Sequence, residues 1–382
     1  MDQTYQVVLK VLAAFFAAGA VAFVLTPPVK RLAHRIGAID VPKDARRMHK
    51  KPIPRLGGLA IYLAFVVVSL VLGDWTVQNL TILLGSAVIV VLGIFDDRNA
   101  LGAKFKFCIQ LIAAAIPVIF GNLRIELITN PNVFSDYLYL EFGALSIPIT
   151  IIWIVAITNA VNLIDGLDGL AVGVSSIACI TMLAVSLLIG EVEIAIILAA
   201  LAGSCIGFMP YNLNPASIFM GDTGSTFLGF MLATLSIQGL FKVYAIISFA
   251  VPFLILGLPI FDTAFAITRR VLSGRSPLSP DRGHVHHRLM DMGFNQKQAV
   301  AILYVISAVL GLLAVVLTTS GELRAIVMVV AVLIALVVGG FVFLSTEHHK
   351  MRRHEQQLHD ELKKNQANKE QSDAPEQADN ES

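Results

Sequence analysis

Charged residues are scarce in this sequence: Asp, Glu, Lys and Arg make up only 14% of its 382 residues. With 56% hydrophobic residues and a mean hydropathy of +0.75, this scarcity excludes a soluble domain of this size. Cysteine is rare too, and Cys108, Cys179 and Cys205 lie in apolar runs without metal-ligand spacing. We therefore expect the cysteines to be small packing residues rather than redox or metal-binding groups.

Apolar runs of bilayer-spanning length are abundant by contrast. Eleven runs approach the roughly 20 residues that a spanning helix needs, which predicts an all-α polytopic membrane protein with eleven transmembrane helices. The first run is followed by basic residues and not by a small-residue cleavage site, so we expect it to be a span and not a signal peptide. The expected spans are 7–28, 57–73, 79–95, 105–121, 145–161, 169–190, 192–209, 225–241, 243–265, 299–318 and 323–345.

Lys and Arg are concentrated in alternate connections. Segments 29–56, 96–106 and 268–298 and the tail after 345 carry nine, three, six and six of the 28 basic residues. All four lie on one side of the membrane if there are eleven spans, and the positive-inside rule makes that side cytoplasmic. The N-terminus is then outside and the C-terminus is cytoplasmic.

Two segments lie outside this pattern of spans and short loops. The outer loop at about 122–144 contains aromatic residues separated by polar ones, which predicts a small hairpin or an interfacial aromatic patch. The polar stretch 348–382 is predicted to be a largely disordered cytoplasmic tail. Residues 1–347 would then form the eleven-span domain.

Acidic residues gather at the expected cytoplasmic ends of the spans. Ionisable groups near a bilayer are costly and usually mark a substrate or ion site. Asn162, Asp165 and Asp168 are three residues apart, so on a helix they would share one face. Their oxygens suit a hard divalent cation. The clustered aspartates are Asp96, Asp97, Asp165, Asp168 and Asp222.

The pair Asp96-Asp97 is followed closely by Lys104 and Lys106. Carboxylates beside lysines at a membrane surface suit a lipid phosphate that must be both held and activated. The simpler alternative is a capped helix end with ordinary interfacial lysines. The other clustered aspartates favour the phosphate site.

Glycines surround Asp222 in the sequence Phe219-Met-Gly-Asp-Thr-Gly. They permit close backbone approach, and Asp222 offers a cation ligand. Phe219 could stack on a base, although by itself an interfacial phenylalanine is the simpler interpretation. The basic stretch before the second span can be a topogenic signal, but its ending, Pro-Ile-Pro-Arg-Leu-Gly-Gly, indicates a fixed turn as well.

Three histidines in four residues, His284, His286 and His287, lie with Arg282 and Arg288 in one cytoplasmic connection. A zinc site is one interpretation, but no cysteine or further clustered ligand completes a tetrahedron. Phosphate and sugar binding fits better, because the two arginines supply charge-assisted donors for a pyrophosphate.

With these motifs in this order, the sequence resembles the polyprenyl-phosphate N-acetylhexosamine-1-phosphate transferases over about residues 5–345. Pro-Ile-Pro-Arg-Leu-Gly-Gly and His-Val-His-His-Arg resemble the bacterial undecaprenyl-phosphate N-acetylglucosamine-1-phosphate transferases that start wall teichoic acid, enterobacterial common antigen or O-antigen synthesis. The peptidoglycan branch instead carries a Thr-Pro-Thr-Met-Gly-Gly type of sequence. The resemblance implies a bacterial cytoplasmic-membrane enzyme, a homodimer without a nucleic-acid partner, that uses Mg²⁺ or Mn²⁺ to transfer GlcNAc-1-phosphate from UDP-GlcNAc to undecaprenyl phosphate.

The resemblance also implies a role for each matching residue. Asp222 and Asn162 would hold the metal, whereas Asp96 and Asp97 would orient or deprotonate the lipid phosphate with help from Lys106. The catalytic aspartates Asp165 and Asp168 would complete the nucleotide and metal pocket, with Phe219 on the uracil and Asn212 in the wall. The groups expected to bind the sugar and diphosphate are Arg282, His284, His286, His287 and Arg288; Asp40 and His49 match polar positions of the first cytoplasmic loop.

Three alternatives stay open at the level of sequence. The same chemistry can act on another UDP-HexNAc or on UDP-MurNAc-pentapeptide, and the reaction can pass through direct attack or through an aspartyl intermediate. A proton-coupled transporter would also contain aspartates and proline-bent spans. Its carboxylates are expected at the bilayer midplane, whereas these lie at one membrane face.

Overall fold

The computed structural model describes residues 3–42, 51–129, 139–239, 250–274 and 283–319. Within those ranges the chain forms twelve α-helices, four short β-strands and one 3₁₀ turn. The helices are α1 Gln3–Ile36, α2 Gly57–Leu72, α3 Val77–Arg98, α4 Ala103–Ile119, α5 Ser146–Ile164, α6 Leu170–Leu188, α7 Val192–Asn212, α8 Gly221–Gly239, α9 Ala250–Ile255, α10 Gly257–Leu272, α11 Val285–Asp291 and α12 Gln296–Thr318.

Six of the described helices are long and apolar enough to cross a bilayer: α1, α3, α5 with its preceding 3₁₀ turn, α6, α7 and α12. Helix α2 is equally apolar but has only 16 residues. The predicted all-α polytopic membrane protein is confirmed at this level.

Each of the first eight expected spans corresponds to one helix, α1 to α8. Helix α1 continues past the expected end to Ile36, where Gly37 with a φ of 77° allows the chain to leave the helix. In the described part of the ninth span, the helix is interrupted at Leu256, between α9 and α10. The tenth span is α12. The expected eleventh span and the tail 348–382 lie outside the described residues.

Helix α8 is buried along nearly its whole length, because α2, α3 and α5 pack around it. Glycines allow the closest approaches. A Cβ on Gly58 of α2 would overlap the backbone of Gly224, and one on Gly93 of α3 would overlap Thr223. Gly229 packs in the same way against Thr158 of α5. These contacts fix the start of α8 relative to the ends of its neighbours.

Two small antiparallel sheets complete the described fold. Strand β3, Leu127–Thr129, pairs with β4, Tyr139–Glu141, so the hairpin predicted in the 122–144 loop is confirmed. Strand β1, Ile39–Asp40, pairs with β2, Ile53–Pro54. The residue after β2, Arg55, forms a parallel bridge with Phe219, which ties the first connection to the segment before α8.

Candidate active site

The start of α8 is bound by the carboxylate of Asp97, near the end of α3. Asp97 Oδ1 accepts a hydrogen bond from Asp222 N at 2.9 Å, and Oδ2 accepts from Thr223 N at 3.0 Å and Thr223 Oγ1 at 2.6 Å. The side chain of Asp97 is fully buried. Gly221 has a φ of 72°, and a Cβ there would overlap the Asp97 carboxylate. Asp97 therefore positions Asp222.

Lys106 of α4 joins two of the predicted site carboxylates. Its Nζ lies 2.9 Å from Asp96 Oδ2 and 2.9 Å from Asp222 Oδ2. Asp96 is held in turn by the backbone N–H of Leu101, which donates to Oδ1 at 2.7 Å. The expected grouping of Asp96, Lys106 and Asp222 is present in the structure.

Arg55 is a second cation in this cluster, and no role at the site was predicted for it from the sequence. Its guanidinium lies 3.4 Å from Asp222 Oδ1 and 3.5 Å from Asp97 Oδ1. The backbone that carries it is fixed, because Phe219 N donates to Pro54 O at 2.8 Å and Gly57 N donates to Phe219 O at 2.9 Å. The signal for Arg55 was the Pro-Ile-Pro-Arg turn, whose rigidity serves to aim this side chain.

The shared helical face predicted for Asn162, Asp165 and Asp168 is wrong. Helix α5 ends at Ile164, and α6 begins at Leu170. Asp165 and Asp168 lie in the turn between the two helices, where Gly169 has a φ of 79°. Asp165 is the C-cap of α5 and Gly169 is the N-cap of α6, so no continuous helix joins the three residues and their spacing does not place them on one face.

The three groups nevertheless stay near the site by different means. Asn162 Nδ2 donates to Ser225 Oγ of α8 at 2.8 Å. Asp168 Oδ2 accepts from Asn214 Nδ2 at 2.9 Å and from Ala216 N at 3.0 Å.

Asp165 is placed where a negative charge is unfavourable. Burial raises the pKa of its carboxyl to about 7, and the nearby carboxylates of Asp222, Asp97 and Asp168 add to the rise, whereas Arg55 opposes it. The local excess of negative charge is the electrostatic setting that a bound cation would relieve.

A cavity of about 970 Å³ opens beside this cluster. Arg55 and Gly221 line it, so Asp222 adjoins the cavity through its immediate neighbours. The amide of Asn212 is engaged with the chain, since Oδ1 accepts from Gly169 N at 3.2 Å and Nδ2 donates to Ile218 O at 3.1 Å. The sequence-predicted residues that line the cavity are Asp40, Asp165, Asp168, Asn212, Phe219 and His287.

The structure places the members of the histidine motif in different surroundings. His284 and His286 are buried, and burial, together with His287 and His284, lowers the pKa of His286 to about 4. His287 is the member that lines the cavity. The guanidinium of Arg288 lies 4.8 Å from the centre of the Phe265 ring on α10. Arg282 and His49 lie outside the described residues.

Comparison with known proteins places the chain in a family. Residues 79–240 match the family described as "Glycosyl transferase family 4". The chain is also 42% identical over 313 residues to the "Probable undecaprenyl-phosphate N-acetylglucosaminyl 1-phosphate transferase" of Bacillus subtilis (strain 168), covering 82% of this chain and 86% of that protein. The chain belongs to glycosyl transferase family 4.

Two other relatives extend the comparison. The "Decaprenyl-phosphate N-acetylglucosaminephosphotransferase" of Mycolicibacterium smegmatis is 34% identical, over 84% of this chain and 86% of the relative. The "Undecaprenyl-phosphate alpha-N-acetylglucosaminyl 1-phosphate transferase" of Escherichia coli (strain K12) is 28% identical, over 82% and 85%.

The region that matches glycosyl transferase family 4 runs from α3 to the end of α8. It contains the whole carboxylate cluster and Lys106. Arg55, Asp40 and the histidine segment lie outside it and reach the same cavity from the two flanking parts of the chain.

The oxygen donors of the site fit a cation that keeps part of its shell for substrate and water. Among the described residues there is no group of three or more His, Cys, Asp or Glu placed to enclose a metal. Asp222 and Asp96 nevertheless approach each other at Lys106. The side-chain oxygen of Asn162 accepts no hydrogen bond within the described part of the chain, whereas its NH₂ group donates to Ser225. Mg²⁺ is commonly bound by one or two carboxylates together with substrate phosphates.

Proposed function

We propose that this protein transfers GlcNAc-1-phosphate from UDP-GlcNAc to undecaprenyl phosphate, yielding undecaprenyl-diphospho-GlcNAc and UMP. The observation that carries the proposal is the position of Asp222, which is fixed by Asp97 and flanked by Lys106 and Arg55 beside the 970 Å³ cavity. Phosphoryl transfer needs mainly positioning and charge neutralisation from a protein, and this cluster is built for both. The activities named for the relatives agree with it.

The donor binds in the cavity. Phe219 stacks on the uracil, while Asp168 and Asn212 hold the turns that form the wall. Arg55 lies between the cavity and Asp222, so its guanidinium meets the diphosphate, for which its planar donors are suited. His287 contacts the sugar-phosphate end.

Asp222 and Asn162 would hold the metal, and Asp96 and Asp165 would add negative charge around it. The chemistry that Mg²⁺, or Mn²⁺ in its place, supplies in such a site is neutralisation of the diphosphate oxygens as the leaving group departs. Lys106 can then exchange part of its interaction with Asp222 for an interaction with the incoming lipid phosphate.

The acceptor attacks directly. An oxygen of the lipid phosphate forms a bond to the β-phosphorus of UDP-GlcNAc, and the bond from that phosphorus to the bridging oxygen breaks, so that UMP leaves with the electron pair. A phosphate monoester is already an anionic nucleophile, so Lys106 and Asp96 need only bind and align it. An aspartyl phosphosugar adduct isolated without lipid would contradict this route.

The membrane arrangement proposed with this activity has eleven spans, an outside N-terminus, a cytoplasmic C-terminus and the site at the cytoplasmic face of a bacterial inner membrane. The distribution of Lys and Arg supports it. We propose a homodimer as the assembled form. Another UDP-HexNAc or UDP-MurNAc-pentapeptide is the alternative donor, whereas family membership argues against the transporter interpretation.

The test is transfer of radiolabel from UDP-GlcNAc into an organic-extractable lipid by purified protein with undecaprenyl phosphate and Mg²⁺. We expect label in the lipid, and loss of it with EDTA or in Asp222→Asn. Asp74→Asn, in the connection between α2 and α3, is the matched control and should transfer normally. Transfer only from a different UDP-sugar would refute the donor assignment, and no transfer from any UDP-sugar would refute the reaction.

The metal assignment has a separate readout. Binding of Mn²⁺ to the purified protein, followed by electron paramagnetic resonance, should be weakened at least tenfold in Asp222→Asn and retained in Asp74→Asn. Equal Mn²⁺ affinity in the two variants would place the metal elsewhere.

A further inference from the structure

Helix α10 contains a buried aspartate that belongs to no motif considered above. Asp262 is only 5% exposed, and both of its oxygens have partners in the histidine segment. Oδ2 lies 2.9 Å from His284 Nδ1, and Oδ1 accepts a hydrogen bond from Val285 N at 2.8 Å. A carboxylate is costly to bury, so these two interactions fix the start of α11 to α10.

Helix α10 holds the same segment at two further points. Arg269 Nη1 donates to the carbonyl oxygen of Gly283 at 3.0 Å, just before His284. Beyond His287, the guanidinium of Arg288 stacks on Phe265. The segment is therefore attached to α10 on both sides of its histidines.

The three histidine rings connect the fixed His284 to the cavity. The ring of His284 is parallel to the ring of His286, with 5.8 Å between centroids and 7° between planes. His286 packs on Gly166, beside Asp165, so closely that a Cβ on Gly166 would overlap His286 Nε2. The ring of His287, which lines the cavity, lies 4.3 Å from that of His286.

We infer that Asp262 is a positioning residue of the transferase, which acts through His284 to place His287 in the wall of the donor-binding cavity. The inference rests on the proposed function. A carboxylate that accepts from Nδ1 fixes both the tautomer and the orientation of an imidazole, as it does behind metal-bound histidines. His284 accordingly serves as a structural link, and its buried ring does not contact substrate.

The first experiment is Asp262→Asn in the full-length purified protein. The amide oxygen can still accept from Val285 N, but its NH₂ group would then face His284 Nδ1 and demand the other tautomer. We expect a 10- to 100-fold loss of kcat/KM for UDP-GlcNAc, on the scale of lost supporting hydrogen bonds. The KM for undecaprenyl phosphate should not change. An unchanged kcat/KM for UDP-GlcNAc would overturn the inference.

A pair of substitutions at His284 separates a structural link from a substrate contact. Asn places its NH₂ near the position of histidine Nδ1, whereas Gln places its NH₂ near Nε2. If the bond to Asp262 matters, His284→Asn retains more activity than His284→Gln. The reverse order would make His284 a substrate ligand and would overturn the inference.

Coupling provides the last test, and it remains informative if Asp262→Asn reduces the yield of folded protein. Because both residues act on one link, Asp262→Asn combined with His284→Gln should be no more than about twofold worse than the poorer single variant. Multiplicative losses would show independent roles. Wild-type protein in the same assay reports on the proposed function: its failure to transfer refutes that function, whereas active wild type with unaffected variants refutes only the role of Asp262.

Discussion

Thr223 donates two hydrogen bonds to Asp97, one from its backbone N–H at 3.0 Å and one from its hydroxyl at 2.6 Å. Asp97→Asn turns an amide NH₂ towards these donors or towards Asp222 N, so at least one charge-assisted bond worth about 1.5–3 kcal/mol is lost. We expect a lower Tm in detergent and loss of transfer, because Asp222 moves with the start of α8.

The neighbouring residue offers the matched comparison. Asp96→Asn keeps an oxygen for Leu101 N and loses only the partly exposed ion pair with Lys106, so its Tm should fall less than that of Asp97→Asn while transfer is lost. Equal falls in Tm for the two variants would show that Asp97 has no special structural role.

Gly166→Ala tests the contact between the Asp165 turn and the histidine segment. Its Cβ would overlap the imidazole of His286, so either the turn or the ring must shift. We expect a loss of kcat/KM of at least tenfold. Gly102→Ala is the control, because a Cβ there meets open space and Gly102 lacks a positive φ. Full activity in Gly166→Ala would mean that the His286 contact is dispensable.

Asp165 should make the stability of the protein depend on pH. Its pKa of about 7 in the folded state lies above the ordinary 3.8, so the folded state keeps a proton that the unfolded state has lost. Stability therefore falls as pH rises from about 4 to 7. In EDTA, the Tm of Asp165→Asn relative to wild type should be higher at pH 7.5 than at pH 5. A difference in Tm that does not change with pH would contradict the shifted pKa.

Phe219→Leu tests the proposed stacking on uracil. Stacking of a base on an aromatic ring is worth about 1–3 kcal/mol, so the KM for UDP-GlcNAc should rise roughly 5- to 150-fold. The KM for the lipid should stay constant, since Phe219 lines the cavity that we propose for the nucleotide. Phe219→Tyr, which keeps the aromatic ring, should stay within a few-fold of wild type. An equal rise in the KM for UDP-GlcNAc in both Phe219 variants would instead indicate that the backbone β-bridge between Phe219 and Arg55 is disturbed.

The sequence predicts the membrane helices well because their apolar runs have the length that a bilayer requires. It also predicts that Asp96, Lys106 and Asp222 lie together, because polar groups at the ends of apolar runs usually mark a site. The face shared by Asn162, Asp165 and Asp168 fails because spacing alone assumes a continuous helix, and the turn containing Gly166 and Gly169 interrupts it.

Other site residues depend on contacts between distant parts of the chain. Arg55 lies in a basic loop, where a topogenic signal is enough to explain an arginine. Its place in the site becomes apparent only from its distance of 3.4 Å to Asp222. Asp262 is a single carboxylate within an apolar stretch, and its partner His284 becomes apparent only when α10 and α11 pack together. The charge of Arg288 predicts pyrophosphate binding, which stays a prediction, but its contact with Phe265 of α10 could not be foreseen from the sequence.

The contact between Gly58 and Gly224 has a consequence for biogenesis. Helix α2 enters the membrane early in synthesis, but Gly58 has no matching backbone surface until α8 has been translated and inserted. Until then the turn bearing Arg55 lacks its backbone partners at Phe219 and Met220. A ribosome-bound intermediate that ends before α8 therefore lacks Asp222 and the partners of the Arg55 turn, so the active site cannot assemble until α8 has docked and the later segment with His287 has followed.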